Sequence, residues 1–183
     1  SDVDRFLREV ERLVERARKL SERDERETRK VVKEVRDSSR KSVEDSKRVV
    51  EKLEEEARRG GDDKETLKRR VETLLKEVED MHRRDKEEID RLLEEVKRNH
   101  ERSKKEIEDL LDDVRRKLEE IRKKGVEKEK LDKVLEDLRR VVEEVKRRND
   151  EVLKRLKEVV DEVTKRNRKA LEDAKERLKK VTE

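Results

Sequence analysis

The apolar residues of this chain recur every 18 residues, and this period constrains the fold more than any other feature. Each third of the chain contains such a set: Leu13, Val31 and Val49; Val71, Ile89 and Ile107; Leu135, Leu153 and Leu171. Eighteen residues complete about five turns of an α-helix. A heptad repeat imposes a left-handed supercoil, whereas a period this close to the natural helix repeat predicts nearly straight helices.

The apolar residues also share one face of each predicted helix. Placed at about 100° per residue, they form a single stripe roughly 120–140° wide in each third of the chain. Val126 is the one apolar residue outside the stripes. Because each helix has one stripe and no second apolar seam, the three stripes are expected to pack against one another, leaving no apolar face for a partner.

Glycine marks the boundaries between the thirds. Gly60, Gly61 and Gly125 are the only glycines, and they divide the chain almost equally. Gly60 suits the left-handed position just past a helix end. Asp62, with Glu65 three residues on, suits the N-cap of the next helix as a capping box.

These signals predict an all-α fold, an antiparallel up-down-up three-helix bundle of long helices. Short hinges force neighbouring helices to run in opposite directions. We expect a single domain over residues 1–183, with helices at about 2–59, 62–124 and 127–182 and hinges at 60–61 and 125–126.

Composition excludes several classes of function. Charged residues make up 61% of the chain, a content that indicates disorder unless periodicity is present, as it is here. Basic and acidic residues alternate and number 58 and 54, and Phe6 is the only aromatic residue, so nucleic-acid binding is not expected. No apolar run exceeds two residues and there is no cysteine, so the chain predicts no membrane span, signal peptide or disulfide.

The few uncharged polar residues are concentrated on the apolar stripes. Together with two aspartates, they predict two buried polar clusters. The first contains Ser21, Asp24, Thr28, Asn99, His100, Ser103 and Asn149. The second contains Ser38, Ser39, Ser42, Ser46, His82, Asp85, Thr164 and Asn167. A buried cluster of this kind fixes helix register, because a slipped helix leaves donors unpaired.

Folding the chain at its hinges places both clusters in layers. The first hinge pairs residues whose numbers sum to about 121, and the second pairs residues summing to about 249. Each histidine then lies level with a serine of the first helix and an asparagine of the third. The two predicted layers are His100 with Ser21 and Asn149, and His82 with Ser39 and Asn167.

The combination of idealised helices, aliphatic stripes and polar layers resembles computationally designed helical bundles with buried hydrogen-bond networks. The resemblance covers the whole chain but is one of style, without a specific motif. It implies a structural scaffold with no natural biochemical function.

Catalysis and metal binding are the sharper alternatives. Ser21, His100 and Asp24 could form a hydrolytic triad, as could Ser39, His82 and Asp85, but helix interiors supply no oxyanion hole and a packed core no cleft. The histidines are a full repeat apart and cannot share an ion. We therefore predict no enzyme activity, catalytic residue, metal or cofactor.

A pH-responsive bundle is the main functional alternative. Desolvation lowers the pKa of a buried histidine, so stability would fall as the pH drops, while a nearby ionised Asp24 or Asp85 would oppose this. We otherwise expect a monomer with no partner. A role as a rigid spacer, or self-association by helix exchange, remains open.

Overall fold

The computed structural model describes residues 2–183, which form three long helices. They are α1 (Asp2–Arg59), α2 (Lys64–Lys123) and α3 (Lys128–Val181). No strand occurs within the described residues. The all-α prediction is confirmed, and every helix boundary lies within two residues of the predicted position.

The two hinges are built on glycines in the left-handed region. Gly60, Gly61 and Gly125 have φ angles of 76°, 109° and 77°. At the end of α1 the amide of Gly60 donates to the carbonyl of Ala57 at 3.3 Å, and at the end of α2 the amide of Gly125 donates to that of Arg122 at 3.3 Å. Residues with a Cβ are strained at such φ values, which explains why glycine stands at these positions.

The cap of α2 differs from the prediction by one residue. Asp63, not Asp62, is the N-cap: its Oδ1 accepts a 2.7 Å hydrogen bond from the amide of Thr66. This bond lowers the pKa of Asp63 below its ordinary value. Asp62 instead accepts a 3.0 Å hydrogen bond from Arg70 Nη1, so the predicted capping box with Glu65 is wrong. Both aspartates suit a cap by sequence, and the helix start at Lys64 decides between them.

Contacts along the chain define two compact units, to which all three helices contribute. Unit 1 comprises the chain up to Lys30 together with Glu95–Leu156, and unit 2 comprises Val31–Glu94 and Lys157–Glu183. Each unit contains its own aliphatic cluster. The buried members are Val10, Val114, Leu118, Ile121 and Val134 in unit 1, and Val50, Leu53, Val71, Val78, Ala174 and Leu178 in unit 2.

Side-chain contacts give the same helix directions in both units. Contacts between α1 and α2 are antiparallel: Asp24 meets His100 in unit 1 and Ser38 meets Asp85 in unit 2, pairs that sum to 124 and 123. Contacts between α1 and α3 are parallel, with sequence offsets of 127 in unit 1 and 128 in unit 2. The topology is therefore up-down-up, with a register two or three residues from the expected one.

The apolar stripes are largely covered. Leu135, at 41% exposure, is the only exposed large hydrophobic side chain among residues 2–183. Over the same residues, none of the helices carries an apolar stretch long enough to cross a membrane.

Candidate functional site

The buried polar side chains belong to the set singled out by sequence. Those of residues 2–183 are Ser21, Asp24, Thr28, Ser39, Ser46, His82 and Asp85. They divide between the two units, and each unit has one buried aspartate. A buried carboxylate is unfavourable unless it receives hydrogen bonds, so its partners determine what each cluster does.

In unit 2, Asp85 of α2 joins side chains from the other two helices. It is 3% exposed. Its Oδ1 accepts a short hydrogen bond from the hydroxyl of Ser38 on α1. Its Oδ2 accepts a 2.5 Å hydrogen bond from the side-chain amide of Asn167 on α3. Both carboxylate oxygens are thereby satisfied.

Ser39 extends this connection back to α1. Its hydroxyl donates to the side-chain carbonyl of Asn167 at 2.6 Å. The asparagine therefore uses its amide on Asp85 and its carbonyl on Ser39. Ser38, Asp85, Asn167 and Ser39 form one continuous chain of hydrogen bonds through three helices, called the unit 2 network below.

His82 lies one turn before Asp85 but takes no part in the unit 2 network. It is 7% exposed, and neither ring nitrogen has a hydrogen-bond partner. Burial lowers the pKa of His82 below its ordinary value because it disfavours the charged imidazolium, and the nearby Asp85 carboxylate opposes this shift only in part. The predicted layer of His82 with Ser39 and Asn167 is thus centred on Asp85 instead.

In unit 1 the buried carboxylate belongs to α1. Asp24 Oδ2 lies 3.2 Å from Nδ1 of His100, whose side chain is 22% exposed. Asp24 Oδ1 has no hydrogen-bond partner. The hydroxyl of Thr28 donates to the backbone carbonyl of Asp24 at 2.9 Å, and so satisfies itself within its own helix.

Ser21 is joined to α3 by an arginine that lies outside the predicted clusters. Arg148 Nη1 donates to the hydroxyl of Ser21 at 3.2 Å. Arg148 Nε also lies 2.9 Å from an oxygen of Glu25, which anchors the guanidinium beside α1. The available signal was its place next to Asn149, the expected partner, because a long side chain can reach inward from the stripe edge.

The other predicted residues are not brought into contacts between helices. Thr164 is exposed, contrary to the prediction that it is buried, and its hydroxyl donates to the carbonyl of Val160 at 2.8 Å. Ser46 donates to a carbonyl of its own helix at 3.0 Å. The remaining members are partly buried and carry no side-chain hydrogen bond within residues 2–183; they are Ser42, Asn99, Ser103 and Asn149.

The position of the carboxylate alternates between the units. Asp24 is on α1 in unit 1, and the residue 18 positions later is Ser42. Asp85 is on α2 in unit 2, and the residue 18 positions later is Ser103. Unit 1 therefore has Asp24 on α1 and Ser103 on α2, whereas unit 2 has Asp85 on α2 and Ser42 on α1.

Comparison with known proteins finds a designed protein of similar fold. No protein-family model matches the chain, and no curated protein matches it. A solved structure described as a computationally designed three-helix bundle matches 99% of this chain and 89% of its own, with a TM-score of 0.51 and 20% sequence identity. The chain has the fold of a designed three-helix bundle. At that identity the likeness concerns the fold alone.

Neither hydrolytic triad is assembled in this three-helix bundle. Ser39 donates to Asn167, and His82 has no partner, so no nucleophile-to-base hydrogen bond exists in unit 2. In unit 1, His100 contacts Asp24, while Ser21 accepts from Arg148. No group of three or more histidine, aspartate or glutamate side chains within residues 2–183 is placed to hold a metal ion.

Proposed function

We propose that the chain is a non-enzymatic structural scaffold of designed type whose buried polar side chains specify how its helices pair. The observation that carries this proposal is the unit 2 network, which uses one carboxylate to connect α1, α2 and α3. The fold shared with a designed three-helix bundle supports the same conclusion.

Helix register is the property that such a network controls. Sliding one helix by a single turn moves its side chains by about 5.4 Å. Aliphatic stripes still overlap after that shift, because any leucine or valine packs acceptably on another. The Asp85 carboxylate would lose both Ser38 and Asn167 and remain buried without donors, which is strongly unfavourable.

Replacing the whole network by apolar residues tests this function. We expect the variant Ser38→Ala, Ser39→Ala, Asp85→Leu, Asn167→Leu to keep its helix content and to resist denaturant at least as well, since apolar replacements of a complete buried polar group are often neutral or stabilising. It should lose uniqueness. Sedimentation equilibrium should show species above the monomer mass, or NMR spectra should show more than one set of backbone signals. A monomer with one set of signals would contradict the proposal.

A second candidate function, a response to acid, is favoured by the unpaired and buried imidazole of His82. In the unfolded chain His82 binds a proton near pH 6.5, whereas in the folded chain it does so only at lower pH. The contribution of His82 to stability is therefore fully present above pH 6.5 and decreases as the pH falls toward the folded-state pKa. The nearby carboxylate of Asp85 on α2 opposes this loss in part.

The contribution of His82 is measurable by comparison with His82→Leu. We expect the guanidinium chloride midpoint of the parent protein to decrease when the pH is lowered from 7.5 to 5.5. The midpoint of His82→Leu should decrease less, since leucine takes up no proton in the unfolded state. Equal changes in the two proteins would assign the acid response to other groups and remove this candidate.

A further inference from the structure

We infer that the groove beside His82 in unit 2 binds a small apolar anion, such as an aromatic carboxylate or sulfonate. The groove runs between α2 and α3 and has a volume of about 440 Å³. That volume is within the range of about 300–1,000 Å³ that is usual for sites of small organic ligands. The inference is independent of the scaffold proposal.

The walls of the groove suit an apolar ligand. Ile89 of α2 and Val160 and Leu171 of α3 line it, so a flat hydrocarbon group would exchange water for aliphatic side chains. His82 lines the same groove. Both of its ring nitrogens are buried without a partner, which is unfavourable for a polar group. A rotation of the ring that turns one nitrogen toward the groove would let a ligand oxygen supply the missing hydrogen bond.

The rim of the groove favours a negative ligand. Lys86 and Arg168 line it and form no ion pair within residues 2–183. The rim also has two carboxylates. Glu79 forms an ion pair with Lys175 at 3.3 Å, whereas Asp90 forms no ion pair within residues 2–183. Two uncompensated cations against one carboxylate make the rim positive, and the imidazole N–H adds a donor for an anionic oxygen.

Two fluorescent probes of the same aromatic framework test charge and apolar contact separately. We expect 8-anilinonaphthalene-1-sulfonate to bind the folded protein at pH 7.5 at least about tenfold more tightly than uncharged N-phenyl-1-naphthylamine, a difference of about 1.4 kcal/mol. Equal affinities would show that the groove does not select an anion. The absence of saturable binding of both probes would overturn the inference entirely.

Variants spaced by the 18-residue repeat provide matched controls. Lys86→Glu should weaken sulfonate binding about tenfold because it reverses a rim charge, whereas Lys104→Glu, the equivalent change one repeat along α2, should leave it within about twofold. Similar losses in both variants would point to a general effect of net charge and contradict a site in this groove.

NMR gives a direct readout without any mutation. The chain contains two histidines, so two imidazole Cε1–H signals are expected. His100→Gln identifies the signal of His100 by its disappearance. Addition of 8-anilinonaphthalene-1-sulfonate should shift the His82 signal and leave the His100 signal in place. A shift of both signals to the same extent, or of neither, would contradict binding beside His82.

Discussion

Replacing Leu178 with alanine is expected to lower the free energy of unfolding by about 3 kcal/mol, within the usual range for removing a leucine from a packed core. Leu178 of α3 is 0% exposed and packs in the unit 2 aliphatic cluster with Val50 and Leu53. The change removes apolar contacts and leaves a cavity that the surrounding helices close only in part. Guanidinium chloride unfolding followed by far-UV circular dichroism measures the loss.

Leu135→Ala is the matched control for this prediction. Leu135 is also an apolar-stripe leucine of α3, but it is 41% exposed. We expect it to destabilise by less than about 1 kcal/mol, because it buries much less apolar surface. Losses of equal size at the two positions would mean that burial along α3 does not follow the structure described.

Asp85→Ala should have a comparable effect for a different physical reason. It removes the acceptor for both Ser38 and Asn167 while leaving those groups partly buried. Each donor that loses its partner reduces stability by about 1–3 kcal/mol, so we expect a total loss of about 3 kcal/mol. The same denaturant experiment measures it, and sedimentation equilibrium shows whether the variant stays monomeric.

The control for the carboxylate is Asp109→Ala, also on α2. Asp109 is exposed and makes no ion pair within residues 2–183, so its removal should change stability by less than about 0.5 kcal/mol. If Asp85→Ala were as mild as Asp109→Ala, the unit 2 network would contribute little to the energy of the fold.

The helices and hinges were predictable from sequence because they depend on strong, repeated signals. An apolar stripe that persists for more than 50 residues, cut by glycines that can adopt positive φ, leaves few alternatives to three antiparallel helices. The register was predictable to two or three residues because short hinges restrict it. The cap at Asp63 was missed because two consecutive aspartates satisfy the same rule, and sequence alone does not choose between them.

The buried polar positions were also predictable, but their partners were not. A serine or aspartate on an aliphatic stripe stands out by its place in the pattern. Which atoms meet depends on a rotation of about 100° per residue and on side-chain rotamers, so a register error of two residues redirects every contact. For that reason His82 was expected at the centre of the layer that Asp85 occupies, and Arg148 went unnoticed beside Asn149.

The alternation of the buried carboxylate between α1 and α2 affects association between separate molecules. The 18-residue repeat would let an α1 helix from another chain dock one full repeat out of step with its aliphatic side chains still matched. In one direction that stagger brings Asp24 level with His82 and within one turn of Asp85, which places two carboxylates in one poorly solvated layer. In the other direction, His100 meets Ser42 and has no carboxylate. The alternation thus distinguishes the native register from a register staggered by 18 residues, although the aliphatic contacts match in both. It disfavours growth into staggered fibres.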